Sequence, residues 1–323
     1  MTGRRRGEFE LIADLFAPLA RSYPLAFGLT DDAAVLAPAP GEEIVVTADA
    51  LIAGVHFPVD ERADWVAQKA LRVNLSDIAA MGARPHSYVL TIALPENLGE
   101  AWLERFVAGL AADQAEFGIV LIGGDTVATS GPLALSITMF GLARSGQRLR
   151  RNGARPGDRI VVSGTVGDAA LGLKVVTGAV AGAGRAFLAE RYRLPTPRIA
   201  LGQHLVGRAS AALDVSDGLI ADLGHICETS GVGARIEAAR VPLSGPAAAL
   251  VAERPEFFET VLTGGDDYEL LFTVPPTVAL EPIESAAGVA LSVIGGIVHG
   301  SGVVALDAEG RALDLARPRY THR

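Results

Sequence analysis

The chain has 323 residues, half of them hydrophobic and a fifth charged, so it can bury a sizeable core and does not read as a disordered segment. Its net charge of -9 argues against a nucleic-acid surface, though not against nucleotides, whose charge metal ions can meet. Cys227 is the single cysteine, which excludes an internal disulfide and a cysteine-based zinc site.

No apolar run reaches membrane-spanning length, and the three arginines of residues 1–10 are followed by acids, unlike a signal peptide. A soluble, cytoplasmic protein with no membrane or nucleic-acid partner is expected. Lys69 and Lys174 are the only lysines, so a mechanism that needs one has two candidates.

In chain order, residues 8–19 have helical spacing (Phe9, Ile12, Ala13, Phe16). Asp31 and Asp32 follow as adjacent carboxylates. Residues 43–49 alternate as a strand, so Val45, Thr47 and Asp49 share a face. Residues 62–81 form the clearest helix, capped by Gly82 and stopped by Pro85. Asp77 lies on or beside its apolar face, an expensive place for an unpaired charge. It is either a metal ligand or a carboxylate paired with Arg72 or Arg84.

Strands are predicted at residues 87–93 and 133–143, with a helix over 101–116. The apolar run 118–122 reads as a buried strand ending in a tight turn at Gly123-Gly124, with Asp125 at its mouth. Gly-Gly-Asp-Thr is also an ordinary turn.

The polar, basic stretch 145–158 separates two expected domains, residues 1–148 and 149–323. The second restarts with a strand at 159–162 and an alanine-rich helix after Asp168. Gly167 to Lys174 misses a P-loop, having Leu173 where lysine should be. Asp214-Val-Ser216-Asp217-Gly218 repeats the pattern of a strand leading into carboxylates. So does Gly264-Gly-Asp266-Asp267-Tyr268-Glu269, before a strand at 270–274.

Such recurrence suggests a shared acidic pocket. Two like charges about 4 Å apart repel by roughly 4 kcal/mol at an effective dielectric of ~20, so convergence requires cations. Oxygen ligands without nearby His or Cys favour Mg²⁺, and the implied class is metal-assisted phosphoryl transfer.

These motifs carry a resemblance. Gly7-Glu-Phe-Glu-Leu-Ile12, Thr30-Asp-Asp-Ala33, Asp49-Ala-Leu-Ile-Ala-Gly-Val-His56-Phe57, Val73-Asn-Leu-Ser-Asp77-Ile-Ala-Ala-Met-Gly82, Gly123-Gly-Asp-Thr126, Asp214-Val-Ser-Asp-Gly-Leu219 and Gly264-Gly-Asp-Asp-Tyr-Glu-Leu270 run in the order of the thiamine-monophosphate kinases. That family belongs to the aminoimidazole ribotide synthetase superfamily.

The resemblance implies a two-domain α/β (α+β) fold. The sheet of its N-terminal domain would pair across a homodimer, and a C-terminal α/β domain would cover the cleft. It implies ATP and Mg²⁺ as cofactors and thiamine monophosphate as the substrate phosphorylated to thiamine diphosphate. Asp32, Thr47, Asp49, Asp77, Asp125, Asp214 and Asp217 would bind metal. Gly124, Asp125, Arg151 and Ser216 would contact ATP, with Asp125, Asp217 and Arg151 as the catalytic set. His56, Asp266, Arg317 and Tyr320 would meet the substrate.

Three departures stand out. Thr47-Ala48-Asp49 replaces Ser/Thr-Thr-Asp, and Asp266 replaces a glutamate. Arg317 and Tyr320 stand where the family carries a stacking aromatic near its C-terminus. A sister synthetase or a non-catalytic ATP/Mg²⁺-binding module is the alternative reading.

Overall fold

The period-two and continuous apolar runs of the sequence become two mixed sheets in the computed structural model, which describes residues 8–182 and 185–315. Two compact units result. The N-terminal unit runs to Ile78 and resumes over Arg84–Ser145, and the C-terminal unit holds Ala79–Ala83 and the chain from Gly146 onward.

In the N-terminal unit, the helix predicted over residues 8–19 is broken up. A short α1 (Glu8–Leu11) leads into a π-helical turn, Ile12–Phe16, closed by the Ala17 amide on the Ile12 carbonyl, and then a 3-10 turn, Ala17–Ala20. Pro18 supplies no N–H and crowds the preceding turn, which accounts for the break. A second 3-10 segment, Pro24–Leu29, leads to the Asp31-Asp32 stretch.

The sheet order is β1 (Glu42–Ile52), β4 (Ala134–Arg144), β2 (Arg84–Pro95), β3 (Val120–Thr129). β1 and β2 flank β4 antiparallel, while β3 runs parallel to β2. A parallel pair needs a crossover, and α3 (Glu100–Phe117) provides it. Tyr88, Leu90, Ile92, Leu135, Ile137 and Met139 recur at every second position and are all buried.

α2 (Ala63–Ala80) lies against α3 through Gly109, where an added Cβ would come 2.5 Å from the Asp64 carbonyl oxygen. Buried Asp113 of α3 accepts from Gln68 and from both Nε and Nη2 of Arg72, all at 2.8–2.9 Å.

The Gly123-Gly124 turn expected at the end of β3 is absent. The strand continues through both glycines to Thr129, with an irregularity opposite Tyr88 and Val89. A Cβ on Gly124 would lie 2.0 Å from the Leu90 carbonyl oxygen, so close strand approach, rather than a turn, demands glycine here.

The C-terminal unit is a six-stranded sheet in the order β10 (Gly302–Leu306), β7 (Gly233–Glu237), β9 (Leu291–Val298), β5 (Arg159–Ser163), β8 (Leu270–Val274), β6 (Ala211–Asp214). All pairings are antiparallel except β10 with β7. Ile160 and Val162 enter one apolar core with α4 (Asp168–Val176), α5 (Ala186–Arg193), α7 (Leu219–Ser230), α8 (Gly245–Glu253) and α9 (Phe257–Thr263). Val161 and Phe272 enter another with α6 (Ile199–Leu205) and α10 (Glu281–Ala287). Burial on both faces explains why these strands read as unbroken apolar runs.

Candidate functional site

β1 and α2 bring three predicted ligands together. The Thr47 hydroxyl donates to Asp77 Oδ2 at 2.5 Å, and Asp49 lies on the same strand face beside the same carboxylate. Burial first, and then Asp77, raises the Asp49 carboxyl to about 6. Arg72 pairs with Asp113 and Glu116, and Arg84 with Glu42. A crowded, all-oxygen set in which Asp49 holds its proton more tightly than an ordinary carboxyl suits a hard divalent cation.

At the opposite edge of the sheet, Asp31, Asp32, Gly124 and Asp125 line one cavity of about 150 Å³ floored by Leu90, Leu121 and Ile122. Asp49 and Asp125 lie well inside β1 and β3, whereas the expectation put both at strand ends. Full-length pairing of both strands with their neighbours carries the backbone past each acid.

His56 follows β1. Its Nδ1 accepts the Ile52 amide at 3.0 Å, which puts the ring proton on Nε2. Buried Lys69 donates to the His56 carbonyl at 3.1 Å and holds the turn from inside. Sequence reasoning left Lys69 without a role; its place on the apolar face of α2 was the signal.

In the C-terminal unit, Asp214 ends β6 and pairs with Leu270, so the loops 215–218 and 264–269 leave the same end of adjacent strands. Asp222 Oδ2 accepts the amides of both Ser216 (3.1 Å) and Asp217 (3.0 Å). Burial, then Asp214 and Asp217, raise the Asp222 carboxyl to about 8, while Arg151 works the other way.

His225, one turn on, completes a group with Asp217 and Asp222 whose ligand atoms lie within 4.8 Å of one another. The expectation of no histidine near the acids is therefore corrected. The i, i+3 spacing of Asp222 and His225 on a helix was the available signal. The Arg151 carbonyl accepts from Thr229 at 3.2 Å, tying that residue to the end of α7.

In the near P-loop the chain supplies its own acceptor. The amides of Gly167 and Ala169 at the start of α4 donate to the chain's own Asp267, and Lys174 lies over the Phe257 ring. Asp266 is half-buried beside Tyr268, whose hydroxyl reaches its carboxylate at 3.3 Å. Arg317 and Tyr320 lie outside the described residues.

Comparison with known proteins matches residues 30–143 to the AIR synthase related protein, N-terminal domain, and residues 155–307 to its C-terminal domain. The thiamine-monophosphate kinase of Caulobacter vibrioides is 47% identical, with 98% of this chain and 90% of that one covered.

Among solved structures, thiamine-monophosphate kinase from Stenotrophomonas maltophilia K279a superposes with a TM-score of 0.80 at 45% identity, covering 88% of this chain and 91% of that one. AaThiL complexed with AMPPCP and TMP gives a TM-score of 0.76 at 30% identity, over 97% and 98%. Both AIR synthase domains and near full-length identity to curated relatives place this chain in the thiamine-monophosphate kinase family.

Proposed function

We propose that the protein transfers the γ-phosphoryl group of ATP to the phosphate of thiamine monophosphate, forming thiamine diphosphate and ADP. The likeness to AaThiL, complexed with AMPPCP and TMP, over almost the whole of both chains carries this reading. An oxygen of the acceptor phosphate attacks the γ-phosphorus, the bond to the bridging oxygen of ADP breaks, and ADP leaves with that electron pair. The nucleophile is already anionic, so no strong general base is needed and alignment dominates.

Residues 1–148 form the ATP- and metal-binding domain, and residues 149–323 form the substrate domain. Mg²⁺, held by Asp32, Thr47, Asp49, Asp77, Asp125, Asp214 and Asp217, supplies charge neutralisation on the phosphates when bound. Gly124, Asp125, Arg151 and Ser216 orient the nucleotide, with Arg151 as a phosphate clamp. His56 offers Nε2–H to the acceptor phosphate, and Asp266, Arg317 and Tyr320 hold the thiamine portion.

β1 is a long edge strand with Ile44 and Val46 exposed, which supports a homodimer formed along it. Among the described residues no helix is long and apolar enough to cross a membrane, and we place the enzyme in the cytoplasm.

ADP release from Mg²⁺-ATP with and without thiamine monophosphate, with the product identified by mass, tests the activity. Stoichiometric thiamine diphosphate is expected, and Asp125→Ala should abolish it. Tight ATP binding without turnover would instead mark a binding module or another acceptor.

A further inference from the structure

Within the hexapeptide 264–269 two residues other than glycine hold a left-handed backbone, Asp266 at φ 69° and Tyr268 at φ 53°. Side chains disfavour that conformation, and it persists only where the surroundings impose it. Glycine or asparagine at either position would give the same turn with less strain.

The residues that alternate with them point inward and are the imposing groups. Asp267 is 1% exposed and Glu269 is 0% exposed. Asp267 takes the amides of Gly167 (2.5 Å) and Ala169 (3.0 Å), one on each oxygen. Glu269 lies between Arg191 (2.9 Å) and Arg198 (2.5 and 2.6 Å), and its second oxygen accepts the Ser163 hydroxyl at 2.6 Å. Arg191 also reaches the Asp267 carbonyl at 3.4 Å and so bridges both anchors.

The backbone between the anchors is joined to the loop bearing Ser216 and Asp217. Asp266 N–H donates to the Ser216 carbonyl at 2.9 Å and Tyr268 N–H to that of Val215 at 2.8 Å; Val215 N–H returns to Glu269 at 2.8 Å. Gly265 is so close that a Cβ would stand 2.0 Å from the Ser216 carbonyl oxygen. The strained turn is thereby held from two sides by buried, hydrogen-bonded carboxyl groups and along its length by the neighbouring loop.

We propose that Asp267 and Glu269 are positioning residues that clamp this turn and thereby fix Asp266 where it selects the phosphate acceptor. The inference rests on the reading that Asp266 meets that acceptor.

The test compares the full chain with Asp267→Asn and Glu269→Gln, and with Arg191→Lys, which keeps its charge should either of the others fail to fold. Loosening the turn acts first on acceptor binding, because Asp222 still holds the Ser216 and Asp217 amides, so the KM for thiamine monophosphate should rise ~10-fold in the first two and ~3-fold in the third, with the KM for ATP within ~2-fold of wild type. Equal rises in both KM values, or a fall in kcat alone, would overturn the clamp. Amide hydrogen exchange supplies a readout independent of turnover. The Asp266 and Tyr268 amides should exchange faster in Asp267→Asn, and unchanged exchange there would also overturn the clamp. If wild type makes no thiamine diphosphate, the proposed substrate falls, while the exchange result still decides whether the turn is clamped.

Discussion

Asp49 and Asp77, the proposed metal ligands, show what such a site would demand of a fold before a metal arrives. The two half-buried carboxylates lie side by side, burial and Asp77 raise the proton affinity of Asp49, and the Thr47 hydroxyl donates from strand to helix. Removing one charge should therefore help the metal-free protein and harm the loaded one. Asp77→Asn is expected to raise the melting temperature in chelator by a few degrees and to abolish the rise that Mg²⁺ gives wild type. A scan of both proteins with and without Mg²⁺ checks this, and a retained Mg²⁺ response would remove Asp77 from the ligand set. Asp222 supports a sharper contrast, because one of its oxygens takes both loop amides. Asp222→Ala strands two donors at about 1–3 kcal/mol each and should weaken Mg²⁺-dependent ATP binding on the order of 10-fold. Asp222→Asn keeps an oxygen in that place and should bind nearly as wild type. Calorimetric titration of ATP in Mg²⁺ separates the two outcomes.

At the scale of elements, the strands and long helices were legible because burial imposes a period on them. β8 falls on residues 270–274 as read, and α2 and α3 lie within two residues of their predicted ends. What escaped was fixed by neighbours. β3 runs through Gly123-Gly124 because the Leu90 carbonyl leaves no space for a side chain, a tertiary reason that no local pattern carries. Gly109 illustrates the same point with a sign reversal. In an exposed helix, Gly→Ala stabilises by about 1 kcal/mol. In α3 the added methyl would meet the Asp64 backbone at 2.5 Å, and backbone cannot swing aside. Gly109→Ala should therefore destabilise by about 1–3 kcal/mol, as overpacked sites do. Urea unfolding would measure it, and an increase in stability would show that α2 and α3 can separate at little cost.

At the scale of the whole molecule, the acids were legible as a set, because so many carboxylates beside glycines are hard to explain singly. Their grouping was not. The fold sorts them into Thr47–Asp49–Asp77 at one sheet edge, Asp32–Gly124–Asp125 at the other, and Asp214–Asp217–Asp222 in the C-terminal unit. Nor did spacing reveal that Asp267, adjacent to a proposed substrate residue, serves the interior. That burial has a consequence for the stability of the entire chain. Burial raises the Asp267 carboxyl to about 8, with Asp168 adding to the rise and the Gly167 and Ala169 amides and Arg191 opposing it. The unfolded chain returns it to an ordinary value near ~3.9. Between those values the folded state binds the extra proton, so stability must fall as pH rises. The contribution is complete below about pH 4 and is lost as pH climbs through about 8. Asp267→Asn cannot titrate, and its stability should lack this component. Denaturant unfolding of both proteins from pH 5 to 9 in chelator isolates it, because the other acids are common to both and cancel in the difference. The wild-type advantage should shrink steadily toward pH 8 and level off above it. A difference that stays flat with pH would mean that the two amides and Arg191 keep Asp267 ionised throughout, and that it holds its loop as an anion.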